Sequence, residues 1–286
     1  MILVLGATGH LGSAVVSQLL KNTSVGNIVA FARNESKTTE LKEKSVEVRI
    51  GTYDDVSSLD RAMQGIEKVL LISSNGPSRL QQHKNVVEAA KRAGVKHIVY
   101  TSIALKDMAI AALRPYMEDL ILTEHFIKKS GLTYTILRNS LYTGGTPLFG
   151  GENVFKMGIN LPAGNGKVAF ALRREMGEAA ANILLQNGHE NKTYKITGST
   201  LYSYEDVARE LSILTGGNVK YTNADPVTFP EMLKKYGLPP FVALLVESFS
   251  NDIRNHQFEI QTSDLEKRLG RKPAPLIEGL KEVFNL

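Results

Sequence analysis

Short apolar runs alternate with amphipathic stretches along the first half of this chain. The apolar runs predict buried strands at 1–5, 28–32, 46–50, 68–72, 97–101 and 134–137. Apolar positions spaced three or four residues apart predict helices at 56–64, 80–93 and 119–129, which lead into Gly65, Gly94 and Gly131. Strands that alternate with helices predict an α/β fold of the Rossmann type, a doubly wound parallel sheet.

The first strand leads directly into a glycine-rich turn and a helix. Gly6, Gly9 and Gly12 follow the apolar run, and apolar residues then recur at helical spacing as far as Leu20. In such a turn the first glycine allows the sharp bend, the second lets the backbone approach a pyrophosphate, and the third lets the helix pack closely. Glycines at this spacing occur by chance, but their position between a strand and a helix predicts a dinucleotide site.

The pattern changes after Arg138. Glycines and prolines interrupt residues 142–167, before predicted helices at 174–186 and 203–215 and a predicted strand at 193–196. We therefore predict a dinucleotide-binding domain at 1–140 and a smaller substrate-side lobe at 141–286, packed closely together. The interrupted segment is expected to be mobile, because it contains many glycines and few apolar anchors.

Composition narrows the function classes. The chain has 286 residues, 34 basic and 29 acidic side chains, and no long block of like charge, so we expect neither nucleic-acid binding nor disorder. It has no cysteine, and its six histidines show no metal-ligand spacing, so no metal site is predicted. No apolar run approaches the roughly 18 residues that cross a bilayer. These observations favour a cytoplasmic protein without membrane insertion.

The end of the second strand indicates which dinucleotide is preferred. NAD(H) favours a carboxylate at this position, whereas this chain has Arg33, followed by Lys37. The planar guanidinium suits the 2′-phosphate of NADP(H), and Lys37 adds a second charge. Glu35 lies beyond the turn and could still serve NAD(H). The sequence therefore favours NADP(H), with NAD(H) as the less favoured cofactor.

Several motifs resemble the atypical short-chain dehydrogenases of the NmrA-like group. They are GATGHLG at 6–12, RN at 33–34, GTYD at 51–54, NVVEAA at 85–90, YTS at 100–102, YTILRN at 134–139 and GHENKTY at 188–194. The resemblance implies NADPH binding, with contacts at Thr8, Gly9, His10, Leu11, Arg33, Thr52, Ser73 and Asn139. Many relatives have an aspartate where this chain has Thr52, which leaves recognition of the adenine open.

The predicted chemistry is hydride transfer without a tyrosine–lysine pair. Tyr116 is followed four residues later by Leu120, so the lysine that lowers the phenol pKa in ordinary short-chain dehydrogenases is missing. The resemblance implies reduction of a flat conjugated acceptor such as a quinone, which needs no enzymatic proton donor; no catalytic residue is predicted. A non-enzymatic NADP(H) sensor with a regulatory protein partner is the alternative, and a nucleoside-diphosphate-sugar epimerase is disfavoured by Leu120.

Two residues are predicted to contact the substrate. Ser102 ends the fifth strand, where a hydroxyl often orients a substrate, although an ordinary strand-ending serine is an equal alternative. Tyr142 follows the sixth strand and could stack on an aromatic acceptor, or could equally be a core or surface residue.

Overall fold

The structure is a computed structural model that describes residues 1–74, 76–143, 145 and 153–286. The strands in these residues are β1 (Ile2–Leu5), β2 (Ile28–Ala32), β3 (Glu47–Ile50), β4 (Lys68–Leu71), β5 (His97–Ile103), β6 (Thr133–Asn139), β7 (Ile159–Leu161), β8 (Lys167–Val168), β9 (Lys192–Ile196), β10 (Tyr202–Ser203) and β11 (Tyr221–Asn223).

The main sheet has the strand order β3-β2-β1-β4-β5-β6-β9, and its first six strands pair in parallel. Strands β1, β2 and β5 are buried along their whole length, as expected for a sheet covered on both faces. The edge strand β3 differs because it carries Glu47 and Arg49. The predicted doubly wound fold is confirmed.

The described helices are α1 (His10–Asn22), α2 (Thr39–Glu43), α3 (Val56–Ala62), α4 (Arg79–Arg92), α5 (Arg114–Lys129), α6 (Val154–Met157), α7 (Arg173–Leu185), α8 (Tyr204–Thr215), α9 (Phe229–Lys235), α10 (Pro240–Arg254), α11 (Asp264–Leu269) and α12 (Leu276–Phe284). None of them is long and apolar enough to span a bilayer. Ser203 and Asp206 form a capping box at the start of α8.

The N-terminus of α5 differs from the prediction, and α10 is a helix that was not predicted. Helix α5 begins five residues earlier than predicted, and the buried Asp252 fixes the segment directly before it by accepting hydrogen bonds from the backbone N–H groups of Ala112 and Leu113 at 2.7 and 2.9 Å. Pro239 and Pro240 begin α10, since Pro240 occupies a position where no backbone N–H is needed.

The predicted mobile segment is partly ordered by apolar burial. Residues 153–167 contain α6 and β7, and β7 pairs in parallel with β11 and buries Ile159 and Leu161. The expectation that 142–167 has few apolar anchors is therefore wrong for this part. Of the glycines in this segment, Gly144, Gly150 and Gly151 lie outside the described residues. Mobility of the segment stays a prediction.

The chain separates into two interleaved units rather than two consecutive ones. The first comprises Met1–Ile103, Asp119–Asn139 and Arg173–Tyr194, and the second comprises Ala104–Glu118, Ser140–Leu172 and Lys195–Leu286. One crossing point lies between Asn139 and Ser140, and the division into a dinucleotide-binding domain at 1–140 and a substrate-side lobe at 141–286 stays a prediction. The other crossing points were not predicted, because they depend on contacts between distant parts of the chain: α7 packs on α1 within the first unit.

A buried histidine ties three elements of the first unit together. The Nε2 atom of His83 accepts the Ser74 backbone N–H at 3.3 Å, and Nδ1 lies 3.0 Å from the Thr123 hydroxyl, which itself donates to the Asp119 carbonyl. These roles require a neutral ring. Burial, together with the nearby Arg79 charge, lowers the pKa of His83 to about 3.

The His83 shift predicts acid destabilisation. Because the folded pKa lies below the unfolded value of about 6.5, this contribution to stability is complete above pH 6.5 and is lost as the pH falls toward 3. We expect the parent to lose about 2 kcal/mol more unfolding free energy between pH 7.5 and 5 than His83→Gln. Urea denaturation at both pH values measures this difference. The exposed His125→Gln is the control, and equal losses in the parent and His83→Gln would contradict the prediction.

Candidate dinucleotide site

The predicted cofactor residues follow the carboxyl ends of parallel strands. Gly6, Arg33, Thr52 and Ser73 come within two residues of the ends of β1 to β4, and Asn139 ends β6. Parallel strands place these ends along one edge of the sheet, and the strand order reverses between β1 and β4. Open sheets of this kind bind ligands in the crevice at such a reversal.

The turn between β1 and α1 is built by a very close backbone approach. Gly6 has a φ of +75°, and its carbonyl accepts the Gly9 N–H at 3.0 Å. A Cβ on Gly12 would lie only 2.1 Å from the Gly6 carbonyl oxygen, so no other residue fits there without moving backbone. The third glycine therefore brings the helix against the turn itself.

The N-terminus of α1 is suited to an anion. Gly9 is its N-cap, and no side chain caps the first turn. Helix N–H groups left without such partners bind phosphate well, aided by the helix dipole. Thr8 is half-buried, Leu11 is buried, and Gly9 and His10 are exposed at the surface. The residues present at this turn thus fit a pyrophosphate.

Two cations, Arg33 and Lys37, follow β2, and the nearby acid Glu35 is paired with a different residue. Arg33 and Lys37 are exposed, and no described carboxylate forms an ion pair with either of them. Glu35 pairs with Lys42 at 2.6 Å, and this hydrogen bond lowers the pKa of its carboxyl. The carboxylate that the sequence left as an alternative ribose acceptor is therefore directed to Lys42. Asn34 accepts from the Ser36 backbone N–H, which fixes the turn.

The remaining predicted cofactor residues are Thr52, Ser73 and Asn139, and they differ in whether their polar side-chain atoms already have hydrogen-bond partners. The Thr52 hydroxyl accepts the Asp55 N–H at 3.2 Å, and the Ser73 hydroxyl donates to the Thr101 carbonyl at 2.7 Å. By contrast, Oδ1 of Asn139 is buried and has no hydrogen-bond partner in the described structure. A buried acceptor left in this state is costly, and a ligand N–H such as an amide would satisfy it.

Ser102 belongs to a buried ionic network that sequence reasoning missed. Its hydroxyl donates to Glu124 at 2.6 Å. Arg138 donates two hydrogen bonds to the same carboxylate, from Nε at 2.9 Å and from Nη2 at 2.6 Å. Glu124 is fully buried, and its hydrogen bond raises the pKa of Arg138. A detectable signal was the acid among the inward positions of α5, between Leu120 and Ile127.

The register of β5 and β6 places the predicted site residues Ser102 and Asn139 on different faces of the sheet. Ser102 pairs in register with Arg138, and Ile103 pairs with Asn139. Since successive side chains of a strand point to opposite faces, Ser102 and Asn139 lie on different faces of the sheet. The Ser102 proton is held by Glu124, so toward any other group this hydroxyl acts as an acceptor. Its contact with a substrate stays a prediction.

The predicted aromatic residues lie in the second unit. Tyr142 is half-buried and bridges to Ala171 in parallel. Tyr116 packs edge-to-face on Phe241, with ring centroids 5.9 Å apart. Leu120, which takes the position of the usual lysine, is a buried apolar residue of α5 in the first unit.

A glycine turn between a buried strand and a helix, at the reversal point of a parallel sheet, defines a Rossmann-type dinucleotide-binding protein. A family model described as NAD(P)H-binding matches residues 6–164, and the chain belongs to this family. The sequence is 36% identical over 289 residues to quinone oxidoreductase 2 of Escherichia coli strain K12, covering 100% of this chain and 99% of the relative.

Solved structures of similar proteins have the same fold as this chain. The NADPH-dependent quinone oxidoreductase QOR2 of Escherichia coli, complexed with NADPH, has a TM-score of 0.91 at 35% identity, covering 100% of both chains. The triphenylmethane reductase of a Citrobacter species, complexed with NADP(H), has a TM-score of 0.91 at 33% identity, covering 99% of both chains. The resemblance predicted from the motifs is confirmed.

The Gly6–Gly12 approach predicts a sharp difference between two glycine substitutions. Gly12→Ala should lower the unfolding free energy by roughly 1–3 kcal/mol or more and weaken NADPH binding, because the methyl group forces α1 off the turn. Gly26→Ala is the matched control, since a Cβ there meets nothing within 4 Å. Urea denaturation and NADPH titration measure both effects; unchanged stability and affinity in Gly12→Ala would contradict the packing argument.

Proposed function

We propose that this protein is an NADPH-dependent reductase that transfers hydride to a quinone or a similar conjugated acceptor. The observation that carries the proposal is the full-length likeness to quinone oxidoreductase 2, in sequence and in fold. The site geometry supports it, because the carboxyl edge of the sheet presents a helix N-terminus without a side-chain cap, together with Arg33 and Lys37, which form no ion pair with any described residue. We place the protein in the cytoplasm.

In this proposal each end of the cofactor is held by different residues. The turn from Gly6 to Gly12, with Thr8, Gly9, His10 and Leu11, holds the pyrophosphate. Arg33 and Lys37 hold the 2′-phosphate, Thr52 and Ser73 line the site, and Asn139 offers its unsatisfied oxygen to a donor. When bound, NADPH supplies the hydride. NAD(H) lacks the phosphate, so we propose that it binds more weakly.

The protein's part in the chemistry is to hold and orient. A quinone takes up one hydride and one proton and becomes a hydroquinone, and water can supply that proton. A phenolic acid activated by lysine is therefore not required, which agrees with Leu120 four residues after Tyr116. Alignment of the acceptor over the cofactor is then the main source of rate enhancement.

Turnover distinguishes the reductase from the alternative NADP(H) sensor. We expect loss of NADPH absorbance when the protein is mixed with NADPH and a panel of quinones, at a rate that depends on protein concentration. NADPH binding without turnover on any member of the panel would favour the sensor and its regulatory partner.

Arg33 is expected to set the cofactor preference. Arg33→Ala should weaken NADPH by about 1.5–3 kcal/mol, the range for a hydrogen bond to a charged group, and leave NADH nearly unchanged. The matched control is Lys42→Ala, which removes a nearby exposed cation that is already paired with Glu35. Calorimetric titration of both cofactors gives the comparison, and equal losses for NADPH and NADH would refute the assignment.

Tyr116 is expected to be dispensable for proton transfer. Tyr116→Phe should leave the kcat for quinone reduction within a few-fold of the parent, because the roughly 10²–10⁴-fold benefit of a general acid is not in use. The substitution keeps the ring that packs on Phe241. Steady-state kinetics test it, and a drop of 10²-fold or more would show that the phenol acts as an acid.

A further inference from the structure

The loop after β3 leaves the sheet beside Arg33. Strands β2 and β3 pair in parallel with Ala32 opposite Ile50, and the Gly51 N–H donates to the Ala32 carbonyl at 3.1 Å. Arg33 and Thr52 therefore follow the ends of two neighbouring strands, and neighbouring strands lie about 5 Å apart. A group held by the Arg33 guanidinium is thus within reach of the Thr52 side chain.

Tyr53 connects the same loop to the glycine turn. Its hydroxyl donates to the Ile72 carbonyl at 3.3 Å and lies 3.7 Å from the position that a Cβ on Gly6 would occupy. Burial raises the pKa of Tyr53, and the charge of Arg33 acts in the opposite direction, so the guanidinium lies near this loop. The loop is therefore next to both groups that are proposed to hold the cofactor phosphates.

The proposed complex places the adenine against this loop. In NADP(H) the 2′-phosphate and the adenine are attached to adjacent carbon atoms of one ribose, and the same nucleoside carries the pyrophosphate. Arg33 is proposed to hold the 2′-phosphate, and the turn from Gly6 to Gly12 is proposed to hold the pyrophosphate. The adenine is the part of this nucleoside that neither group holds, and residues 52–54 are the segment next to both.

The two acids of this loop are already directed to helices. Asp54 Oδ2 accepts a hydrogen bond from Gln82 Nε2 of α4 at 2.9 Å. Asp55 Oδ1 accepts the backbone N–H of Ser58 in α3 at 3.1 Å. The 6-amino group of adenine is a hydrogen-bond donor, and a carboxylate is a strong acceptor for it. Because both carboxylates are bound to helices, neither singles out the 6-amino group.

The Thr52 hydroxyl offers both a proton and a lone pair. Thr52 is half-buried, its backbone N–H donates to the buried Ser58 hydroxyl at 3.2 Å, and its Oγ1 accepts the Asp55 N–H at 3.2 Å. No described group accepts the hydroxyl proton, and the hydroxyl oxygen has a second lone pair. Such a group can donate to the N1 acceptor of adenine or accept from the N1–H donor of a 6-oxopurine.

We infer that Thr52 contacts the edge of the purine and reads it without distinguishing a 6-amino from a 6-oxo group. The inference rests on the proposed NADPH-dependent function and specifies how that same site recognises the base. The protein then accepts nicotinamide hypoxanthine dinucleotide phosphate, the 6-oxo analogue of the cofactor, as readily as NADP(H) itself.

Calorimetric titration of the oxidised cofactors tests the inference in the absence of any quinone. The parent should bind NADP⁺ and its 6-oxo analogue with dissociation constants within about three-fold of each other, because the hydroxyl forms one hydrogen bond with either base. Thr52→Asp should favour NADP⁺ by roughly 10-fold or more, because a carboxylate accepts from the 6-amino group and is repelled by the 6-oxo oxygen. Both ligands carry the 2′-phosphate, so its repulsion by the added charge cancels in the ratio.

Further variants separate recognition of the base from a structural role of Thr52. Thr52→Ser keeps the hydroxyl and should keep both affinities, whereas Thr52→Val should weaken both ligands by about 2–10-fold, the loss of one neutral hydrogen bond. In Thr52→Asp one carboxylate oxygen can still accept the Asp55 N–H, so the turn is retained. Asp54→Asn is the matched control in the same loop and should leave the ratio unchanged. Circular dichroism establishes that each variant is folded.

The outcomes distinguish this inference from the proposed function. A parent that prefers NADP⁺ to the 6-oxo analogue by roughly 10-fold or more would overturn the inference, and so would an unchanged ratio in folded Thr52→Asp. Either result leaves the reductase function intact. Equal binding of both cofactors, together with a shifted ratio in Thr52→Asp, supports the inference even if no quinone is reduced.

Discussion

The approach of α1 to the turn after β1 is the constraint on which the first unit depends. On one side Gly12 lies against the Gly6 carbonyl, and on the other Gly177 of α7 lies so close that a Cβ would be 2.7 Å from that of Ala14. Helix α1 is thus held between two glycine contacts. This packing directs its N-terminus at the sheet edge, and it explains why residues 173–194 return to the first unit.

The Glu124 network shows how the fold tolerates a full charge in its interior. Removing a carboxylate from water is expensive, and a bidentate arginine together with a hydroxyl donor offsets that cost. The donors come from neighbouring strands in register, so the network also joins β5, β6 and α5. Loss of Arg138 would leave the buried Glu124 carboxylate with the Ser102 hydroxyl and the Lys128 ammonium, 4.0 Å away, as its partners.

Local patterns predicted most of the sheet and few of the long-range contacts. The six predicted strands became β1 to β6, and three of them, β1, β2 and β5, are fully buried apolar runs that need no partner information to be recognised. The capping box at Ser203 and the turn glycines Gly65, Gly94 and Gly131, all with positive φ, are local signals of the same kind.

The early start of α5, the order in β7 and the interleaved units each depend on residues far away in sequence, and no local pattern contains them. The same is true of the candidate site. The alternation of strands and helices predicted which residues lie at strand ends. The unsatisfied oxygen of Asn139 and the ion pair between Glu35 and Lys42 are visible only in the folded structure.

The carboxylate of Asp252 has a consequence for how the chain folds. It closes a loop of about 140 residues onto the start of α5. Closing so long a loop carries an entropic cost, and contacts of this sequence separation tend to form late. During synthesis, the segment directly before α5 therefore waits for a helix near the C-terminus. Truncation before α10 would leave the backbone N–H groups of Ala112 and Leu113 without this acceptor, however complete the glycine turn at the other end of the chain.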